Sequence, residues 1–212
     1  MSERGRDTRE RILDTAQAFV LEKGFSATSL DDIIKTTGLT KGAFFHHFRS
    51  KGDLAHKLVE RFAENDFRLH EEWSHRAEAL ADDPYQALII FIKLFEEWLD
   101  ALPQPFAGCL FAVYVYENQL FDEDVNTFVR DSFDRWKGYY EKRFSAVLAK
   151  RRPRINVTAG ELAETIISIM EGAFILSRSY GDRDLITRQL RLFRDYLKLL
   201  FETESEIAAT TV

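Results

Sequence analysis

Only Leu39 and Thr40 link a helix closed by Gly38 to the helix that follows, and this short connection constrains the fold more than any other feature. Upstream, Thr28 or Ser29, with Asp31 and Asp32 behind, opens a short helix that turns Leu30, Ile33 and Ile34 inward, and Gly38 closes it. Downstream, the stretch GLTKGAFFHHF begins a new helix near Thr40. Two helices joined so tightly must cross sharply. Before them, Asp7 and Glu10 stand at capping-box spacing, and Ile12, Leu13, Ala16, Phe19 and Val20 recur at helical period up to Gly24. After them, Ser50 and Asp53 cap a fourth helix reaching roughly His75. The chain therefore opens on a three-helix unit with a Gly-containing turn.

The helix after the turn has two unlike faces. Ala43, Phe44, His47 and Phe48 share one side at i, i+4 spacing, an ordinary buried stripe in which His47 reads as a core histidine. Lys41, Gly42, Phe45 and His46 share the other, a small cationic face with one bare ring. Phe45 either packs on the first helix or meets a partner.

Beyond Asp82-Asp83-Pro84 the chain becomes a series of long amphipathic helices, expected near 84–101, 106–118, 122–151, 158–180 and 183–203. No strand pattern persists, and 4 Pro and 10 Gly leave helix unopposed almost throughout. The last helix carries two stripes. Ile186, Leu190, Phe193, Leu197 and Leu200 serve the core, whereas Leu185, Leu192, Tyr196 and Leu199 need a second partner. The helix before it offers Leu162, Ile166, Ile169 and Ala173, so a symmetric homodimer through a four-helix interface is expected. Aromatics crowd the middle helices: Phe95 and Trp98 on one, Phe111 and Tyr114 on the next. Phe128, Ser132, Trp136 and Tyr140 follow on the long one. Such abundance favours a cavity for an apolar or aromatic small molecule, oriented by Glu117 or a tyrosine hydroxyl.

Charge and composition bound the function. The net charge is −6, yet residues 1–55 hold nine Lys/Arg against eight Asp/Glu, so nucleic-acid contact is expected only in the N-terminal part. No run of apolar residues is long enough to span a membrane, and the charged MSERGRDTRE stretch carries no apolar leader core. A single cysteine, Cys109, suits a reducing cytoplasm.

The stretch TSLDDIIKTTGLTKGAFFHHFRSKGDL closely resembles the helix-turn-helix signature of TetR-family transcriptional regulators, through Thr40, Lys41, Gly42, Phe44, Phe45, His47, Phe48, Ser50, Lys51 and Leu54. The resemblance is strong over about residues 7–60. It implies an all-α fold of about nine helices: a DNA-binding domain over 1–55 and an effector-binding and dimerisation domain over 56–212. It implies a cytoplasmic regulator, a repressor released from a palindromic operator by a small effector. Thr28, Ser29, Thr40, Lys41, Gly42, Phe45, His46 and Lys51 are then the expected DNA contacts, Lys51 as a phosphate clamp. Arg4, Arg6 and Arg9 form either an arm into the minor groove or a frayed tail. The family commonly has Tyr where Phe45 stands, so one backbone contact is lost. Cys109 is either packed or, as in some family members, a sensor of oxidants.

Rival chemistries lack their parts. Glu72 and His75 have the Glu-x-x-His spacing of di-iron bundles, but the second copy those sites need is missing. No phosphate loop, HExxH or GxSxG occurs, and all five histidines precede residue 76, far in sequence from Cys109. No metal or cofactor is expected. An apolar-ligand carrier would explain the aromatics but not the N-terminal motif.

Overall fold

The computed structural model describes residues 3–202, with side chains from Gly5 onward. Among these residues there are nine α-helices and no strand: α1 (Glu3–Lys23), α2 (Leu30–Thr37), α3 (Lys41–His47), α4 (Lys51–Leu80), α5 (Pro84–Ala101), α6 (Leu110–Tyr116), α7 (Glu123–Leu148), α8 (Ala159–Tyr180) and α9 (Leu185–Phe201). The caps explain most boundaries. Ser29 accepts the Asp32 amide, Thr40 the Ala43 amide, and Thr158 forms a full capping box with Glu161. Gly38 closes α2 at φ +67°, the left-handed turn that sets α3 across α2. Several boundaries shift: α4 runs past His75 to Leu80, and α7 ends at Leu148 rather than 151. The first helix begins before Asp7, which is therefore not its cap, and α6 starts at Leu110 rather than 106 because the backbone after Pro105 reverses at Gly108 (φ +107°).

The chain divides into two compact units. The first holds residues 3–67 together with Ala107–Ser132. Its core is the inward stripe of α1 (Ile12, Leu13, Ala16, Val20) against Ile33, Phe44, Phe48, Leu54 and Leu58, all essentially inaccessible to water. Arg61 fastens α4 to α1 through Asp14 (2.7 Å), Gln17 (3.0 Å) and Glu10 (3.1 Å). Tyr114 joins α6 to α4, its hydroxyl donating to the Ala55 carbonyl at 2.8 Å, and its ring stacks on Phe121 at 4.3 Å.

The second unit holds Arg68–Phe106 and residues 133–202. At its centre the His70 ring is surrounded by Trp136 (4.4 Å), Trp73 (5.0 Å), Phe95 (5.2 Å) and Phe91 (6.0 Å). On its other side, α9 lays Ile186, Leu190, Phe193 and Leu197 against α5 and α8. A buried ion pair, Arg194 with Glu96 at 3.0 Å, ties α9 to α5.

Candidate nucleic-acid interface

The two faces of α3 separate as its spacing requires. Phe44 and Phe48 are fully buried, whereas Phe45 is 47% exposed and Lys41, Gly42 and His46 are exposed beside it. The Phe45 ring stands 5.4 Å from that of Phe44 and nearly perpendicular to it, and close to half of the residue faces solvent, as a partner-facing ring would. A side chain added at Gly42 would meet nothing within 4 Å. Packing therefore does not require glycine there; a close-approaching partner would. Ser29 and Thr40 are exposed at the N-caps of α2 and α3, and each cap oxygen accepts one amide while its hydroxyl hydrogen stays available for donation. His47 sits half-buried, its pKa lowered by burial first and by His46 and Arg9 next, so it is a neutral packing residue at pH 7.

Two of the expected contacts are turned inward. Thr28 is buried, its hydroxyl donating to the Gly24 carbonyl at 2.7 Å and its amide to Phe25. Lys51 donates to the Phe25 carbonyl at 2.8 Å, with its ammonium 4.5 Å from the centre of that ring. Burial lowers its pKa, and the Glu117 carboxylate opposes the shift. The spacing placed Lys51 correctly at the start of α4; the loop it meets, 26 residues away, was not legible.

Glu117 also departs from expectation. Its carboxylate accepts the Phe25 amide (2.6 Å), the Ser26 hydroxyl (2.5 Å) and the Ser26 amide (3.3 Å), so it fastens the loop that leads into α2 rather than orienting an effector. Arg6 is exposed; Arg9 pairs with Glu10 at 3.3 Å and lies 5.6 Å from the Phe48 ring; the Arg4 side chain lies outside the described residues.

The aromatic set expected to line one pocket belongs to two cores. Phe95, Trp98, Trp136 and Tyr140 gather with His70 and Trp73 in the second unit. Phe111, Tyr114, Phe128 and Ser132 pack in the first, Phe111 edge-on to Phe62 and Phe128 beside His56. A cavity of about 340 Å³ does open in the second unit, lined by Ser74, Glu78, Leu88, Phe91 and Arg143 and by four alanines that leave the space empty. Arg143 lies 3.5 Å over the Tyr139 ring and donates to Ser74 Oγ (2.5 and 3.1 Å) and to the Tyr139 carbonyl (2.9 Å). Sequence reasoning missed this site because its small residues sit on three separate helices. Cys109 is half-exposed at the start of α6.

The expected interface residues also divide. Leu162, Ile166, Ala173 and Leu185 are buried within their own chain, and Ile169 and Tyr196 are half-exposed. Leu192 and Leu199 are each 60% exposed, and on α8 Ile175, Leu176 and Tyr180 face outward.

A capped helix, a left-handed glycine turn and a second helix with a buried phenylalanine floor and an exposed outer face carrying Lys41, Phe45 and His46 define a helix-turn-helix, the class of fold that offers one short helix to the major groove. Residues 12–58 match the family model for bacterial regulatory proteins of the tetR family, and residues 84–190 match the C-terminal domain model of LmrA/YxaF-like transcriptional regulators. The chain is 27% identical over 184 residues to YxaF, an uncharacterized HTH-type transcriptional regulator of Bacillus subtilis, covering 86% of this chain and 91% of that one. Over 55 residues it is 40% identical to the repressor NemR of Escherichia coli K12, covering 26% and 28%. A TetR transcriptional regulator from Chloroflexus aurantiacus superposes with a TM-score of 0.75 at 26% identity, over 94% of this chain and 99% of that one. The chain belongs to the TetR family and is a DNA-binding transcriptional regulator. Among the described residues no helix is long and apolar enough to cross a membrane.

Proposed function

We propose that this regulator is a homodimeric repressor that leaves a palindromic operator when a small apolar or aromatic molecule occupies its second unit. The observation that carries the DNA side is the outward face of α3: Lys41, Gly42, Phe45 and His46 exposed over a fully buried Phe44. His46 donates to a guanine acceptor or a phosphate, Phe45 lies against thymine methyls or sugar, and Ser29 and Thr40 donate to phosphate. Thr28 and Lys51 position this surface from beneath. The 40% identity to the repressor NemR over 55 residues supports the repressing sense.

Dimerisation is assigned to the solvent faces of α8 and α9, where Leu192, Tyr196 and Leu199 run along one side of α9 and Ile169, Gly172 and Leu176 along α8. Two exposed leucines in register on one helix favour a second copy, and a C2 pair fits half-sites about one helical turn apart or a small multiple of it. The effector site is assigned to the cavity beside Phe91, with Arg143 orienting a small ligand's acceptor and the His70 cluster behind. Because α4 contributes residues to both units, it is the natural lever. Duplexes enriched from a random-sequence library on the full-length protein supply the DNA probe for mobility shifts. Leu192→Glu should sediment as a monomer and lose specific binding; a monomeric variant with undiminished affinity would refute the dimer. Any true effector must bind DNA-bound protein more weakly by the same factor that it weakens DNA binding.

A further inference from the structure

The first turn of α2 carries two neighbouring carboxylates with different fates. Asp32 is drawn back toward α1, its Oδ2 3.2 Å from Lys23 Nζ. Asp31 reaches forward to α3, its Oδ1 2.9 Å from Lys41 Nζ, and the two side chains remain 73% and 70% exposed. An ion pair so exposed adds little to stability. A carboxylate on the surface that meets DNA also weakens the general attraction to phosphate. Neither consideration explains the arrangement, but the chemistry of the major groove does.

Each Watson–Crick pair shows in that groove one keto oxygen (O6 of G or O4 of T) beside one amino nitrogen (N4 of C or N6 of A). The two are joined by an N–H···O hydrogen bond of about 2.9–3.0 Å. The ammonium and carboxylate of Lys41 and Asp31 stand at the matching separation with the opposite donor and acceptor order. We propose that Lys41 and Asp31 act as one reading unit on a single base pair of each half-site, the ammonium on the keto oxygen and the carboxylate on the amino group. Turning that base pair over sets carboxylate against keto oxygen and ammonium against amino group, two repulsive contacts. The unit therefore reports which strand carries the keto base, accepting G or T and rejecting A or C. Asp31 is a specificity-determining residue in this scheme, and its charge is the selective element. The proposal rests on the assignment of the outer α3 face to DNA.

The test uses full-length protein and the duplexes it enriches from a random-sequence library, each half-site position then changed to all four bases. Wild type should favour keto over amino bases by about tenfold at one position. Asp31→Ala and Lys41→Ala, both at exposed sites and checked for unchanged melting, should each flatten that same position to within about twofold and leave the others intact. The double variant should flatten it no further. Asp31→Ala should also bind random duplex more tightly, with the slope of log K against log salt steeper by about one as Lys41 turns to phosphate. Unchanged base preferences in Asp31→Ala, a uniform change at every position, or effects of the two variants at different positions would each overturn the proposal. Failure of the wild type to enrich any sequence would overturn the assignment of the α3 face, and the pair with it.

Discussion

Removing the Glu117 carboxylate tests how the loop before α2 is held. Three groups of that loop donate to it: the Phe25 amide at 2.6 Å, the Ser26 hydroxyl at 2.5 Å and the Ser26 amide at 3.3 Å. The Phe25 bond is part-buried, and its ring is boxed between Phe121 (4.8 Å) and Tyr114 (6.1 Å), so water cannot readily replace the lost acceptor. A hydrogen bond to a charged acceptor contributes about 1.5–3 kcal/mol. The Ser26 groups are exposed and recover water, so they count for a few tenths of a kcal/mol each. Glu117→Ala should therefore destabilise the protein by about 2–3 kcal/mol, and Glu117→Gln, which keeps one oxygen but no charge, by about 1–2 kcal/mol. Lys51 would lose its nearest compensating charge, so its pKa, already lowered by burial, should fall further. Urea unfolding of wild type and both variants reads the difference as a shift in midpoint at constant slope. Hydrogen exchange at the Phe25 amide should accelerate in Glu117→Ala more than at amides in α8. A loss below about 0.5 kcal/mol, or no local change at Phe25, would show that the loop is held by its own packing and not by Glu117.

Phe44→Ala and Phe45→Ala should separate by kind as well as size. The first empties a fully buried site and should cost about 3–5 kcal/mol of stability. The second should leave unfolding within about 0.5 kcal/mol of wild type while flattening base preference at thymine positions of the enriched duplexes; equal thermal losses would contradict the two faces of α3. Arg194→Met should destabilise by up to about 3–5 kcal/mol near neutral pH, because the buried Glu96 carboxylate loses its partner at 3.0 Å and keeps the more distant Lys93 at 3.8 Å. Burial already holds the Glu96 pKa above its ordinary value, against the pull of Arg194. The folded state thus binds the proton first, and this contribution to stability is present at low pH and lost as pH rises through the folded pKa. Losing Arg194 raises that pKa further, so the penalty should shrink between about pH 7 and about pH 5. Chemical unfolding at both values would show it, and a penalty that grew on acidification would refute the sign.

What was legible in the sequence was whatever a helix decides within itself. The period of α3 assigned Phe44 and Phe48 inward and Phe45 and His46 outward, and α5 spans Pro84–Ala101 as read, with Pro at its first position and Asp83 as its cap. On α9 the heptad spacing found the exposed pair Leu192 and Leu199 but wrongly extended the stripe to Leu185, which is buried at the first turn. On α8, period alone could not say which of two apolar faces was the outer one; Leu162 and Ile166 turned inward, leaving Leu176 outside. Periodicity gives the angle between stripes and not the direction of the core.

The residues misread for function are those whose partners come from far along the chain. Lys51 has the spacing of a phosphate ligand, yet a carbonyl 26 residues earlier takes its ammonium. Glu117 follows an aromatic helix as an effector ligand might, yet its donors lie 91 and 92 residues away. Both errors converge on the loop at Phe25, which offers two amides and a carbonyl that no helix satisfies. A loop of that kind must find charged partners somewhere, and a neighbouring Lys and Glu are the side chains able to supply both signs. Asp31 is the opposite case: as an acid in the first turn of α2 it has a complete local explanation in the helix dipole, which hid its bond to Lys41. Where a residue satisfies a local rule, only the structure shows whether it has a second partner, and for Asp31 that partner is Lys41.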